Sequence, residues 1–439
     1  MTFWSVAVYL LFPYALANLV WRGLRYPAYW HRWPERFGFV APLGGRRSIW
    51  VHAVSVGEVR SAAALIEALA ARYPQHRLVV TTMTPTGSDQ VRDLFGERVS
   101  HCYVPYDFPD AVRRFLDRVH PEVAVIAETE FWPNLFAECA RRYIPLLLVN
   151  GRVSQASLRG YLRVPKIARR MLLQADLLCA QTRTDAQRLR NLGARESAIK
   201  VTGNLKFDVA LPARLLEEGR ALRAAWGRDR PIWIAASTHA GEERKVLDAF
   251  AILRARWPDL LLVLVPRHPE RFTAVARAVR RRGLCVALRG RTPGSLPDGT
   301  AVLVGDTMGE LQRLYAAADV AFVGGSLVPK GGQNVLEPCA VAVPVIFGPH
   351  MFHFEEVAAM AIERGAARQV HDVEELAAAV ALYYEQPDLR RAAGAAAQTL
   401  VTDNRGALAR TLGHMEQVLR AARTPLAPRA EAGAALRKL

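Results

Sequence analysis

The chain has 439 residues, of which 51% are hydrophobic and 23% charged, so composition excludes a disordered protein and length favours two domains over one. Lys and Arg number 58 against 41 Asp and Glu, a formal charge of +17, which favours acidic partners such as nucleic acid, anionic lipid or a phosphorylated substrate. Only six of those 58 are lysine; an arginine bias of this kind also follows from genomic base composition, and no nucleic-acid-binding signature accompanies it. The five cysteines are scattered and never form a Cys-x-x-Cys pair, which excludes a disulfide framework and a zinc ribbon and reads as reduced, cytosolic core thiols.

Residues 2–21 carry no charge and are mostly apolar, about the length that spans a bilayer. Arg22, Arg25, Arg32 and Arg36 follow, which predicts that the rest of the chain stays on the cytoplasmic side of a membrane. Trp4, Trp21, Tyr26, Tyr29 and Trp30 suit an interfacial belt, while Pro13 and Asn18 interrupt a simple span. Two readings therefore stand for residues 1–21: a spanning anchor, or a helix lying in the membrane plane.

Strand patterns follow at 49–54, 78–82, 99–104, 123–127, 146–149 and 177–180, with helix patterns between them at 62–72, 111–119, 134–142 and 167–174. Their alternation predicts a parallel sheet in an α/β domain over 22–210. A second series begins after a linker at 211–214. Its strands fall at 232–236, 261–265, 286–288, 301–304, 320–323 and 345–347, and its helices at 245–256, 274–282, 311–317 and 355–362. A long Ala-rich helical stretch at 374–419 would complete this second domain, at 211–422, before a loose basic tail at 423–439. The expected architecture is two doubly wound, Rossmann-like domains facing each other across a cleft.

In such sheets ligands bind at the carboxyl ends of strands, where helix N-termini point free N–H groups at an anion. The stretch 301–353 fits that role. The strand patterns 301–304 and 320–323 each run into glycine, and Gly331-Gly-Gln-Asn334-Val335-Leu336-Glu337-Pro338 reads as a capped helix start. The competing reading is a tight loop with a plain capping box. Glu58 lies in the turn after the first cytosolic strand, as a general base or as a glutamate favoured by the helix dipole. Glu128 and Glu130 share one face of an extended segment at another strand end, for metal, for substrate or for a cap. Lys206 follows a glycine in Gly203-Asn-Leu-Lys-Phe-Asp208, either in the cleft or solvated on the surface. Arg267 and His268 follow a strand and suit a phosphate. Met308, Gly309 and Glu310 offer backbone N–H groups near a helix start. His350 and His353 read as a loop rather than a metal pair, and no Asp-x-Asp motif points to a metal-bound diphosphate donor.

Six motifs in order, Ser55-Val-Gly-Glu58, Thr81-Thr-Met-Thr-Pro-Thr-Gly87, Glu128-Thr-Glu-Phe-Trp-Pro-Asn134, Gly203-Asn-Leu-Lys-Phe-Asp208, Pro266-Arg-His-Pro-Glu-Arg271 and Gly331-Gly-Gln-Asn-Val-Leu-Glu-Pro338, resemble the 3-deoxy-D-manno-octulosonic acid (Kdo) transferase family. The resemblance implies a GT-B fold, the donor CMP-Kdo, no cofactor or metal, and a lipid A precursor such as lipid IVA as acceptor at the cytoplasmic face of an anionic inner membrane. It maps the general base onto Glu58 and transition-state stabilisation onto Glu128 and Lys206. It maps CMP contacts onto Arg267, His268, Met308, Gly309, Glu310, Asn334, Val335, Leu336 and Glu337. Two other readings remain at this stage: a glycosyltransferase or epimerase of the same fold using a UDP-sugar, and a membrane-tethered basic protein with no catalysis.

Overall fold

The computed structural model describes residues 8–10, 12–43, 47–209, 211–212 and 214–423. The chain divides into two compact units, Met1–Asp208 together with Arg405–Leu439, and Val209–Asn404. The domain expected at 211–422 is therefore displaced at both ends, since residues 405–422 belong to the first unit.

In the first unit seven strands form one sheet: β1 Ser48–His52, β2 Arg77–Thr82, β3 Ser100–Tyr103, β4 Pro121–Ala127, β5 Leu146–Gly151, β6 Leu177–Ala180 and β7 Ile199–Val201. Their order is β3-β2-β1-β4-β5-β6-β7, and every pair is parallel. Strands of a parallel sheet are buried on both faces, hence the near-continuous apolar runs. Side chains alternate between the faces. Trp50, Ala124, Ile126, Leu146 and Leu148 pack into one apolar layer. Ile49, Val51, Val123, Val125 and Leu147 pack into the opposite one.

That second layer also receives Ala407, Leu412, Met415 and Leu419 of helix Ala407–Arg423, which is why the end of the chain returns to the first unit. The Ala-rich stretch expected as one helical region is three helices, Val373–Glu385, Pro387–Asn404 and Ala407–Arg423, broken at Pro387 and at Gly406, whose φ is +90°. Asp208 accepts the N–H groups of Gly406 and Leu408, both at 2.7 Å, and caps the last helix.

The second unit repeats the plan with β8 Ile232–Thr238, β9 Leu261–Pro266, β10 Val286–Leu288, β11 Val302–Val304, β12 Val320–Val323, β13 Val345–Phe347 and β14 Ala367–Gln369. The order is β10-β11-β9-β8-β12-β13-β14, again all parallel. In both sheets the order reverses beside the first strand, between β1 and β4 and between β8 and β12, the topological switch at which such folds bind ligands.

Helices start earlier than apolar periodicity alone indicates because their first turns are polar or carry proline. Helix Val56–Arg72 opens at the Ser55 cap, and helices Pro85–Phe95, Pro109–Val119, Pro133–Arg141 and Pro165–Gln174 begin on the proline that fits a first helical position. The edge strands β7 and β14 lack a sequence signal, since each has three residues and exposes part of them.

At the N-terminus, residues 1–7 of the expected anchor and residues 424–439 of the expected tail lie outside the described residues. Helix Phe12–Arg25 ends in Arg22 and Arg25, and among the described residues no helix is long and apolar enough to cross a membrane. Phe12 packs its ring edge-on against Phe37 and Phe108, while Leu16, Val20, Trp21 and Leu24 on the same helix are exposed.

Candidate active site

The predicted site residues fall into two clusters, one at the carboxyl edge of each sheet. In the first unit, Glu58 sits in the first turn of helix Val56–Arg72. One carboxylate oxygen accepts the Val54 N–H at 2.8 Å and the other the Ser55 hydroxyl at 3.1 Å, while Ser55 Oγ accepts the Glu58 N–H at 3.4 Å. This is a reciprocal capping arrangement, so the capping and the functional readings of Glu58 share one geometry. Burial drives the Glu58 carboxyl up to about 8, with the charges of Glu130 and then Glu128 adding to it; the bonds from Val54 and Ser55 oppose the shift.

Glu128 follows β4, the strand beside β1, so the switch in strand order brings the two carboxylates to the same edge. Its φ is +56°, a conformation disfavoured for a side chain larger than glycine and typical of residues fixed for function. Its N–H donates to Val149 O at 2.9 Å. Glu130 accepts the indole N–H of Trp132 at 2.9 Å, and burial raises its carboxyl. The three carboxylates singled out in the sequence thus form one cluster, beside Phe131, Trp132 and Tyr161.

Lys206 lies in the short 3-10 turn Leu205–Phe207 that follows β7. Leu205 is buried in the same apolar layer as Val59 and Ala62 of the Glu58 helix. Lys206 is half-buried rather than a free surface group.

In the second unit the predicted residues follow three strands at the carboxyl edge: Arg267 and His268 after β9, residues 308–310 after β11, and 334–337, which run into the short helix Leu336–Ala340, after β12. Asn334 Oδ1 accepts the Leu336 N–H and its amide donates to Glu337 Oε1, each at 3.1 Å, but the short helix Leu336–Ala340 takes Val335 as its N-cap with no side-chain cap, so Asn334 sits one residue ahead of the expected position. Val335 and Leu336 are fully buried, and the Leu336 N–H is taken up by Asn334. The Glu310 side chain is engaged, accepting from Arg289 at 3.1 and 3.2 Å and from Arg313 at 3.0 Å. Burial alone would raise its carboxyl, but bonds from Thr307 and Arg289 and the neighbouring guanidinium charges hold it below the ordinary range.

Two residues absent from the sequence reading organise this edge. Glu242, fully buried at the start of helix Glu242–Arg254 after β8, accepts N–H groups from His239 at 3.0 Å, Gly325 at 2.7 Å, Ser326 at 2.9 Å and Leu327 at 2.9 Å. One carboxylate therefore pins the glycine loop after β12. His239 packs 5.3 Å from the His268 ring, and its Nε2 lies 3.3 Å from the Gln333 amide nitrogen. Burial lowers His239 to about 4, and the charges of His268, Lys330, Arg267 and Arg271 push the same way, so this corner is cationic and suited to an anion. The signal was present in Thr238-His-Ala-Gly-Glu242, a turn after the first strand of its sheet, as the turn of Glu58 is. The loop also depends on glycine: a Cβ on Gly348 would lie 2.3 Å from Ser326 O, and one on Gly324 2.6 Å from Ser237 O.

A separate cavity of about 440 Å³, lined by Arg47, His120, Glu122 and Arg142 among others, opens at the amino-terminal edge of the first sheet and contains none of these residues. Cys102, Cys139, Cys179 and Cys339 are buried and Cys285 is exposed.

Residues 31–209 match the family described as 3-deoxy-D-manno-octulosonic-acid transferase (kdotransferase), and residues 295–400 match glycosyl transferases group 1. The 3-deoxy-D-manno-octulosonic acid transferase of Haemophilus influenzae is 39% identical over 93% of this chain and 96% of its own length. That of Bordetella pertussis is 40% identical over 94% of this chain and 99% of its own. Among solved structures, the UDP-GlcNAc 2-epimerase of Neisseria meningitidis bound to UDP-GlcNAc is 12% identical, covers 84% of this chain and 100% of its own, and superposes with a TM-score of 0.51, a likeness of fold alone. With two parallel-sheet units, and near-full-length relatives at this identity, the chain belongs to the 3-deoxy-D-manno-octulosonic acid (Kdo) transferase family and is a glycosyltransferase.

Proposed function

We propose that this Kdo transferase takes Kdo from CMP-Kdo and attaches it to the 6-hydroxyl of the distal glucosamine of a lipid A precursor such as lipid IVA, with Glu58 as general base. Glu58 takes the hydroxyl proton as that oxygen bonds to Kdo C2, and the bond from C2 to the CMP phosphate oxygen breaks with inversion. Glu128 and Lys206 stabilise the charge that develops in an oxocarbenium-like transition state. CMP leaves as a monoester anion, received by Arg267 and His268, by backbone N–H groups of 308–310 and by residues 334–337. The reaction so written calls on no metal or cofactor.

The observation that carries this reading is the Glu58 carboxyl, raised to about 8 by burial and by two neighbouring carboxylates at the edge where parallel sheets bind ligands. A base of that strength is matched to removing a proton near neutral pH. The cationic surroundings of His239 support a phosphate-bearing donor in the second unit. Exposed Leu16, Val20, Trp21, Leu24 and Trp30 beside Arg22 and Arg25 support attachment to an anionic membrane, where a lipid acceptor lies; the inner membrane, with the enzyme on its cytoplasmic face, is the location we assign.

The test is an assay with CMP-Kdo and lipid IVA that follows CMP release and the mass of the lipid. The native enzyme adds whole Kdo units. Glu58→Gln, which keeps an acceptor for the Val54 N–H, loses turnover by at least about 1000-fold while CMP binding persists. Near-native turnover in that variant removes Glu58 from the role.

A further inference from the structure

Asn150 lies where β5 and β6 lose register. Leu148 pairs with Leu178 and Gly151 with Ala180, so Val149 and Asn150 together oppose Cys179, a β-bulge. Bulges of this kind favour glycine, yet Asn150 holds a φ of +54° and is 1% exposed. Its Oδ1 accepts the Leu205 N–H at 3.0 Å, and its backbone carbonyl accepts Gln181 Nε2 at 3.0 Å. Its Nδ2 is buried with no hydrogen-bond partner. A left-handed backbone and an unmet amide are both costs, and the bond to Leu205 is what the side chain makes in return.

That bond matters because of what Leu205 begins. The turn Leu205–Phe207 is three residues long and too short to hold its own shape. Asn150 receives its first N–H and Asn204 Oδ1 receives the Lys206 N–H at 3.0 Å. On the other side of the bulge, Glu128 N donates to Val149 O. One irregular dipeptide thus connects the backbone of Glu128 to the turn of Lys206.

We propose that Asn150 is a positioning residue for Kdo transfer, setting the Lys206 turn relative to the Glu128 backbone through its bond to the Leu205 N–H. The proposal rests on the reading of Lys206 as a transition-state group. Asn150 acts on the transition state through Lys206, so it affects kcat and leaves donor binding alone.

The test is a double-mutant cycle on the purified full-length enzyme with CMP-Kdo and lipid IVA, using Asn150→Gly, Lys206→Ala and both together. Glycine accepts the positive φ without strain and removes the buried side chain together with its bond to Leu205, and melting temperatures confirm that each variant is folded. Asn150→Gly is expected to lower kcat by about 10- to 100-fold with KM for CMP-Kdo within about twofold of native. In the Lys206→Ala background the same change is expected to cost less than about twofold. Native-like kcat in Asn150→Gly, a loss confined to KM, or losses that multiply in the double variant overturn the proposal while leaving Lys206 in its role. Native-like turnover in Lys206→Ala overturns the reading of Lys206 and this proposal with it.

Discussion

Glu58 does two things with one carboxylate. It closes the first turn of helix Val56–Arg72 by accepting the Val54 N–H and the Ser55 hydroxyl, and its burial beside Glu130 and Glu128 makes it a stronger base than an ordinary glutamate. The direction of the pH effect follows. A base must be deprotonated to act, so kcat/KM rises with pH and levels off above the free-enzyme Glu58 value of about 8. After burial, Glu130 is the largest contributor to that value. Replacing it by Gln removes a negative neighbour, makes ionisation of Glu58 easier, and shifts the acid limb of the kcat/KM profile to lower pH. A pH profile of Glu130→Gln checks this, and an unmoved limb means that the carboxylates are not coupled. The sequence showed Glu58, Glu128 and Glu130 as carboxylates at strand ends. It could not show that the latter two act on Glu58, because that depends on burial and on the pairing of β1 with β4.

At the scale of elements, strand-to-helix turns carry the chemistry, and buried side chains fix their shape. Glu242 is the clearest case, since four backbone N–H groups from two separate turns converge on one carboxylate. Replacing it by Ala leaves those donors without their acceptor in a buried place. The expected cost is about 3 kcal/mol in the unfolding free energy from urea titration, and CMP affinity is expected to fall at least about tenfold by calorimetric titration, because the glycine loop loses its anchor. An unchanged CMP affinity in a destabilised but folded variant limits Glu242 to stability. Long apolar runs such as β9 and β4 were readable from composition, because burial on both faces demands them. The edge strands β7 and β14 were not, and neither was the split of the C-terminal stretch into three helices, which Pro387 and Gly406 mark but which amphipathic periodicity does not count.

At the scale of the whole molecule, the chain builds the same plan twice and then returns. Helix Ala407–Arg423 packs Ala407, Leu412, Met415 and Leu419 into the first unit's core, and its cap is Asp208, far back in sequence. Deleting residues 405–439 therefore destabilises the first unit and spares the second: limited proteolysis is expected to degrade residues up to 208 first and to leave a fragment near Val209–Asn404. Loss of the second unit at the same rate contradicts this assignment. The sequence by itself determined the α/β class and most strands, because apolar runs and helical spacing are written in neighbouring residues, and its six motifs carried the resemblance to the family. The tertiary structure alone decided the membership of the last helix, the bulge at Asn150, the four-way role of Glu242 and the raised value of Glu58. Each of these depends on burial and on partners distant along the chain, which no local pattern encodes.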